Sequence, residues 1–155
     1  MITFQRENCA QVIQDIQPLL IQHWEEVANY KDTIKLNPDF DKYLDLEKKN
    51  LLVIITCRED TTLIGYSIFF LYKHLHYQDH LFASNDVLFL IKSARKGRQG
   101  IKLIRESERI LKTLGVLRLS FHVKPKNDFS PILSRIGYGK EEIIMGKLLG
   151  ESHGR

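Results

Sequence analysis

The run Arg95-Lys96-Gly97-Arg98-Gln99-Gly100 carries the residue types best suited to chemistry in this 155-residue chain. That chemistry is phosphate binding. The two glycines let a backbone come close to a ligand. The apolar run Val87-Leu88-Phe89-Leu90-Ile91 precedes the loop, and an amphipathic helical pattern follows it. A loop that opens a helix offers N–H groups without intrahelical partners, together with partial positive charge. Two arginines and a lysine add mobile charge. A nucleoside-triphosphate loop needs Lys and then Ser or Thr after its last glycine, but Ile101-Lys102 stands here. A dinucleotide loop needs three glycines early in the fold, and this loop has two.

The charge distribution supports an anionic ligand at one place. Between Lys92 and Lys126 there are eleven Lys or Arg and two Glu, a net of +9. The whole chain is +4, so the remainder is −5. Nucleic acid, a phosphorylated cofactor or a solvated helix face would each account for such a patch. Hydrophobic content of 43% and charged content of 27% fit a folded globular chain. The length fits one domain over residues 1–149, with 150–155 as a loose tail. No apolar run reaches a membrane span, and no secretory leader is evident, so the expected location is cytoplasmic. Cys9 and Cys57 lack metal-ligand spacing, and no metal site is expected among the histidines.

The elements that position the loop follow from periodicity. Met1–Phe4 reads as a strand. From Cys9 to Val27, apolar residues recur at helical spacing, with Asn8 as cap and Pro18 expected to kink or divide the helix. Asn37-Pro38-Asp39 opens a short helix through Glu47. Leu51–Cys57 and Leu63–Tyr72 read as a hairpin. A histidine-rich connection, residues 74–80, leads to a strand over Leu81–Ile91. A helix follows over about Arg98–Leu114, closed by Gly115. Val116–Val123 is the next strand. A short helix then ends at Gly137, and Ile143–Leu149 is the last strand. The order implies an α/β (α+β) sheet with helices packed on it.

Strand, loop and helix in this order resemble the acyl-CoA pyrophosphate loop of the GNAT (Gcn5-related) N-acetyltransferases, written Arg/Gln-x-x-Gly-x-Gly/Ala. Arg95 matches its first position and Gly100 its last, while Arg98 stands where the middle glycine belongs. Gly115-Val116 and Ile136-Gly137-Tyr138 look like the end of the family's central helix and its closing Gly-Phe/Tyr. A phage and prophage subgroup is resembled more closely. Its likeness runs through His23-Trp24-Glu25, Asn37-Pro38-Asp39, Gly65-Tyr66, His76-Tyr77, Asp86-Val87-Leu88-Phe89-Leu90 and Asp128-Phe129-Ser130-Pro131-Ile132-Leu133. The resemblance implies a GNAT fold: a mixed central sheet of about six or seven strands, helices on both faces and a splayed central strand pair. It also implies acetyl-CoA as donor and an amine of unspecified identity as acceptor. A homodimer is a further expectation.

By the same resemblance, backbone near Leu90 and Lys92 binds the pantetheine arm. N–H groups of Lys96, Gly97, Arg98, Gln99 and Gly100 hold the pyrophosphate, with charge from Arg95 and Arg98. The 3′-phosphate and adenine meet some of Lys124, Lys126 or Asn127. The family's usual general acid, a Tyr, is replaced by Leu133. Acid and base candidates are Asp86, His76, Tyr77 and His23. Asp86 lies four residues before Leu90, a spacing that puts both on one face of a regular strand. The alternative readings are packing for His23, loop surface for His74 and His80, and a turn cap or an arginine pair for Asp86. The competing function is a GNAT-fold binding protein that uses its basic segment on a protein or nucleic acid. Against nucleic acid, the only aromatics in and beside that segment, Phe121 and Phe129, read as buried, so no stacking platform is offered.

Overall fold

The computed structural model describes residues 1–150. Its strands are β1 (Ile2–Glu7), β2 (Leu52–Glu59), β3 (Thr62–His74), β4 (Tyr77–Leu90) and β5 (Val116–Ser120). Its helices are α1 (Cys9–Val27), α2 (Phe40–Lys48), α3 (Gln99–Thr113) and α4 (Ser130–Arg135). One sheet runs β1-β2-β3-β4-β5. The first four strands are antiparallel neighbours, and β5 joins β4 in parallel after the α3 crossover.

Helices cover both faces. Val12, Ile16 and Leu20 of α1 pack with Ile54, Tyr66, Ile68 and Phe89 on one face, where α2 adds Phe40, Tyr43 and Leu44. Leu103, Ile110 and Leu111 of α3 pack with Val53, Ile55, Phe69 and Ala83 on the other. Strands β2 and β3 are covered on both sides and therefore read as continuous apolar runs. Each such side chain contributes about 1.5–3 kcal/mol on full burial.

Pro18 does not divide α1. It is exposed, whereas Cys9, Val12 and Ile16 before it and Leu19, Leu20 and Val27 after it are buried. Packing on both sides holds the helix through the missing N–H. The Glu47 carboxylate accepts the Cys9 N–H at 2.9 and 3.0 Å, so α2 satisfies an open donor at the start of α1.

Five strands form among the described residues, not six or seven. The expected last strand, Ile143–Leu149, makes no ladder. Its consecutive Ile143, Ile144 and Met145 offer no alternation to a sheet face, and all three are exposed. The stretch is tethered instead by Arg118 to Glu141 and by the Tyr30 hydroxyl to the Gly146 carbonyl. The splayed pair therefore lies at the sheet's edge rather than its centre. The histidine-rich connection is mostly strand: β4 begins at Tyr77, leaving Leu75 and His76 as the turn. Aromatic contacts of Tyr72 with Phe82 and His74 with Tyr77 zip that end of the hairpin. Residues 151–155 of the expected tail lie outside the described residues. No described helix is long and apolar enough to cross a membrane.

Candidate active site

The site is a V between two strands. Pairing of β4 with β5 stops at Ser84↔Ser120, although β4 runs on to Leu90. At the point of divergence the buried Asn85 side chain accepts the His122 N–H at 2.5 Å. That bond replaces a ladder bond and ends β5 at Ser120, three residues before the strand expected to Val123. On the other side of β4, the Ile91 N–H donates to the Ile64 carbonyl at 2.9 Å. Alternation turns the N–H and C=O of Leu90 the opposite way, into the V. Gly65 allows this close register: a Cβ there would lie 2.7 Å from the Phe89 carbonyl oxygen.

The phosphate-type loop follows at the open end. A single 3-10 turn, Lys92–Arg95, leads to Gly97 at φ +96°, a conformation that favours glycine. The first helical bond of α3 runs from the Lys102 N–H to the Arg98 carbonyl at 2.9 Å. The N–H groups of Gln99, Gly100 and Ile101 precede it and have no intrahelical acceptor. No acidic side chain occupies the first turn. A Cβ at Gly100 would meet nothing nearer than Leu90 Cδ1 at 3.7 Å, so the approach is open. Lys92, Lys96, Gly97 and Arg98 are exposed around it. These residues fit an anionic group such as a pyrophosphate.

Two residues assigned to the cofactor are engaged with the protein. Arg95 donates through Nε to the Leu90 carbonyl at 2.8 Å and through Nη2 to Glu26 at 2.7 Å. Its guanidinium also lies over the Phe89 ring. Lys124 donates to the Val27 carbonyl at 3.2 Å. The end of α1 is thus tied to both arms of the V. Asn127 ends an exposed 3-10 turn just past Lys124.

Asp86 occupies the apex. The β3–β4 register slips there: Ile68 faces Val87 and Phe69 faces Asn85, leaving Asp86 as the extra residue of a bulge. The bulge corrects the expectation that Asp86 and Leu90 share a face. Leu90 belongs to the α3 side, whereas Asp86 meets Tyr43 of α2, whose hydroxyl donates to Oδ2 at 3.4 Å. Asp86 remains open to solvent at its rim. Desolvation by the surrounding wall raises its pKa, opposed by the Tyr43 hydrogen bond and the nearby His122. Burial, then the charge of Asp86, pushes the Tyr43 phenol up to about 12. The neighbouring Tyr66 hydroxyl is fully buried, has no hydrogen-bond partner among the described residues, and is raised by its burial. No sequence pattern marks Tyr43, Tyr66, Asn85 or His122 as part of the site. The Gly65-Tyr66 pair is a motif, but nothing in its spacing points to Asp86.

The other sequence candidates separate. His23 packs on Phe89 at 5.3 Å. Desolvation, then Lys124, lowers its pKa to about 4. His76 and Tyr77 lie exposed at the β3–β4 turn. Asp86 lies nine positions along the strand from Tyr77, roughly 30 Å at ~3.3 Å per residue. The structure does not bring this pair to the apex. Leu133 is buried on α4, and the Tyr138 hydroxyl donates to Glu108 at 2.9 Å. Among the described residues no group of three or more His, Cys, Asp or Glu is placed to hold a metal ion.

No family model matches the sequence, and no curated protein matches it. Solved structures do match. A GCN5-related N-acetyltransferase from Ralstonia eutropha JMP134 superposes with a TM-score of 0.76 at 12% identity, over 97% of this chain and 100% of that one. The chain has the GNAT fold. An aminoglycoside acetyltransferase from an uncultured soil metagenomic sample, solved with sisomicin, gives 0.73 at 14% identity over 97% of both chains. An acetyltransferase from Clostridium acetobutylicum, solved with acetyl-CoA, gives 0.70 at 13% identity over 96% and 97%. The likeness covers nearly the whole chain in each case.

Proposed function

We propose that this chain is an acyl-CoA-dependent N-acetyltransferase acting on a primary amine. The observation that carries the reading is the V: strands that part beyond Ser84↔Ser120, with Asp86 at the apex and an open helix start at the mouth. The GNAT fold and the acetyl-CoA seen in one structural neighbour support it. The likeness to the phage and prophage subgroup is part of the same reading and rests on the sequence motifs.

Acetyl-CoA supplies the activated acetyl group when bound. The Leu90 N–H and the Lys92 backbone line its arm, the Leu90 carbonyl being taken by Arg95. N–H groups from Lys96 to Gly100 hold its pyrophosphate, with charge from Lys96 and Arg98. Arg95 and Lys124 shape that cleft through α1 rather than by direct charge, and Asn127 borders its far side. Asp86 attracts the acceptor's ammonium and takes a proton from its nitrogen, leaving a neutral amine able to attack. Its raised pKa brings this base closer to neutrality than an ordinary aspartate. The departing thiolate would take its proton from solvent, since Leu133 has none to give and the Tyr138 hydroxyl is turned to Glu108.

The binding-protein reading draws less support. Arg95, Arg105, Arg109 and Arg118 are each paired with a glutamate, so four of the segment's eleven cations are engaged within the protein.

Thiol release from acetyl-CoA, followed across a panel of amines, tests the proposal. Aminoglycosides, polyamines, amino acids and lysine peptides form that panel. At least one should be acetylated by the wild type. Asp86→Asn should slow that transfer by roughly 10²–10⁴ with little change in acetyl-CoA affinity. Unchanged turnover in Asp86→Asn would remove Asp86 as the base.

A further inference from the structure

The geometry points to a role for α2 that its packing does not explain. This nine-residue helix buries none of its residues fully. It is anchored by Glu47 to the Cys9 N–H and presents Tyr43 to Asp86. The Tyr43 ring stacks against Phe40 at 5.8 Å and lies beside Cys9, Ile13 and Ile68. That packing fixes the ring without using the hydroxyl.

Three groups face Asp86: Tyr43 from α2, Tyr66 from β3 and His122 from the segment after β5. The Tyr66 hydroxyl has no acceptor among the described residues. His122 acts on Asp86 through charge, and its backbone N–H is given to Asn85. Among the described residues, Tyr43 is the one side chain that hydrogen-bonds Asp86. A donated hydrogen bond favours the ionised carboxylate over the protonated acid. The bulged backbone at Asp86 lacks a cross-strand partner residue to orient it, so this bond also fixes where the carboxylate points.

We propose that Tyr43 is a positioning residue, holding Asp86 ionised and aimed into the V to receive the acceptor's proton. The proposal rests on the reading of Asp86 as base. It makes α2 part of the transfer machinery, although α2 contributes nothing to the donor cleft.

Tyr43→Phe keeps the ring and removes the donor. Carbon-13 NMR of the aspartate carboxyl groups reads Asp86 directly, its signal assigned by loss in Asp86→Asn. The Asp86 titration midpoint should move upward in Tyr43→Phe. With an acetylated amine in hand, the acid limb of kcat/KM should move upward with it, while the high-pH plateau stays. A purely structural role would lower the plateau and leave the limb in place. Tyr43→Met, which also fills the site without a hydroxyl, gives the same readout if the Phe variant folds poorly. An unmoved midpoint in a folded variant overturns the proposal. A moved midpoint without transfer to any amine would instead overturn the reading of Asp86 as base.

Discussion

His23 shows how much a residue's surroundings decide its role. Desolvation and the Lys124 charge hold its imidazole near 4, so it is neutral where GNAT chemistry would run. In the unfolded chain it titrates near its ordinary value of 6.5. Between these limits the unfolded state binds a proton that the folded state refuses. The contribution is therefore intact above 6.5 and is lost as pH falls toward 4. Urea midpoints at pH 7 and pH 5 should differ more for the wild type than for His23→Leu. Equal differences would show that His23 titrates freely. Sequence alone named His23 and Asp86 as candidates but could not separate them. Burial against Phe89 marks the first as packing, and the bulge marks the second as the apex. Tyr43 and His122 stayed out of view because residues far along the chain bring them to Asp86.

Register is the decisive property at the scale of elements. The β3–β4 pair carries two corrections to a regular hairpin, one at Asp86 and one near the turn. Gly65, three residues before the first of these on β3, lets the strand lie close against Leu90. A side chain at Gly65 would press on Leu90 Cδ2 at 2.3 Å and on the Phe89 carbonyl. Leu90 can swing away, but the carbonyl is backbone. Gly65→Ala should therefore cost about 1–3 kcal/mol in chemical denaturation. A neutral substitution would mean that β3 and β4 part more easily than their packing implies. Most elements were legible because their apolar patterns are strong: α1, α3, β2 and β3 lie where periodicity puts them. The failures have local causes. Aromatic cross-strand pairs turn the histidine-rich connection into β4, and an exposed run without alternation leaves Ile143–Leu149 outside the sheet.

Over the whole molecule, the +9 segment holds four arginines paired with glutamates and a group of free cations beside one open place. Its arginines largely bind glutamates, while among the described residues Lys92, Lys96 and Arg98 form no ion pair beside the α3 start. The loop Arg95–Gly100 was legible as a phosphate site from glycines and charge. Arg95 was not legible as a brace, because Glu26 lies 69 positions away. The account stands or falls on the donor. Calorimetric titration with acetyl-CoA tests it most directly, comparing wild type, Gly100→Ala and Gly100→Glu. Wild type should bind one acetyl-CoA per chain. Gly100→Ala should fold and bind, since its Cβ meets only Leu90 Cδ1 at 3.7 Å. Gly100→Glu should fold and lose binding, because its carboxylate faces the pyrophosphate. Absence of binding by the folded wild type, or equal binding by Gly100→Glu, would contradict the account.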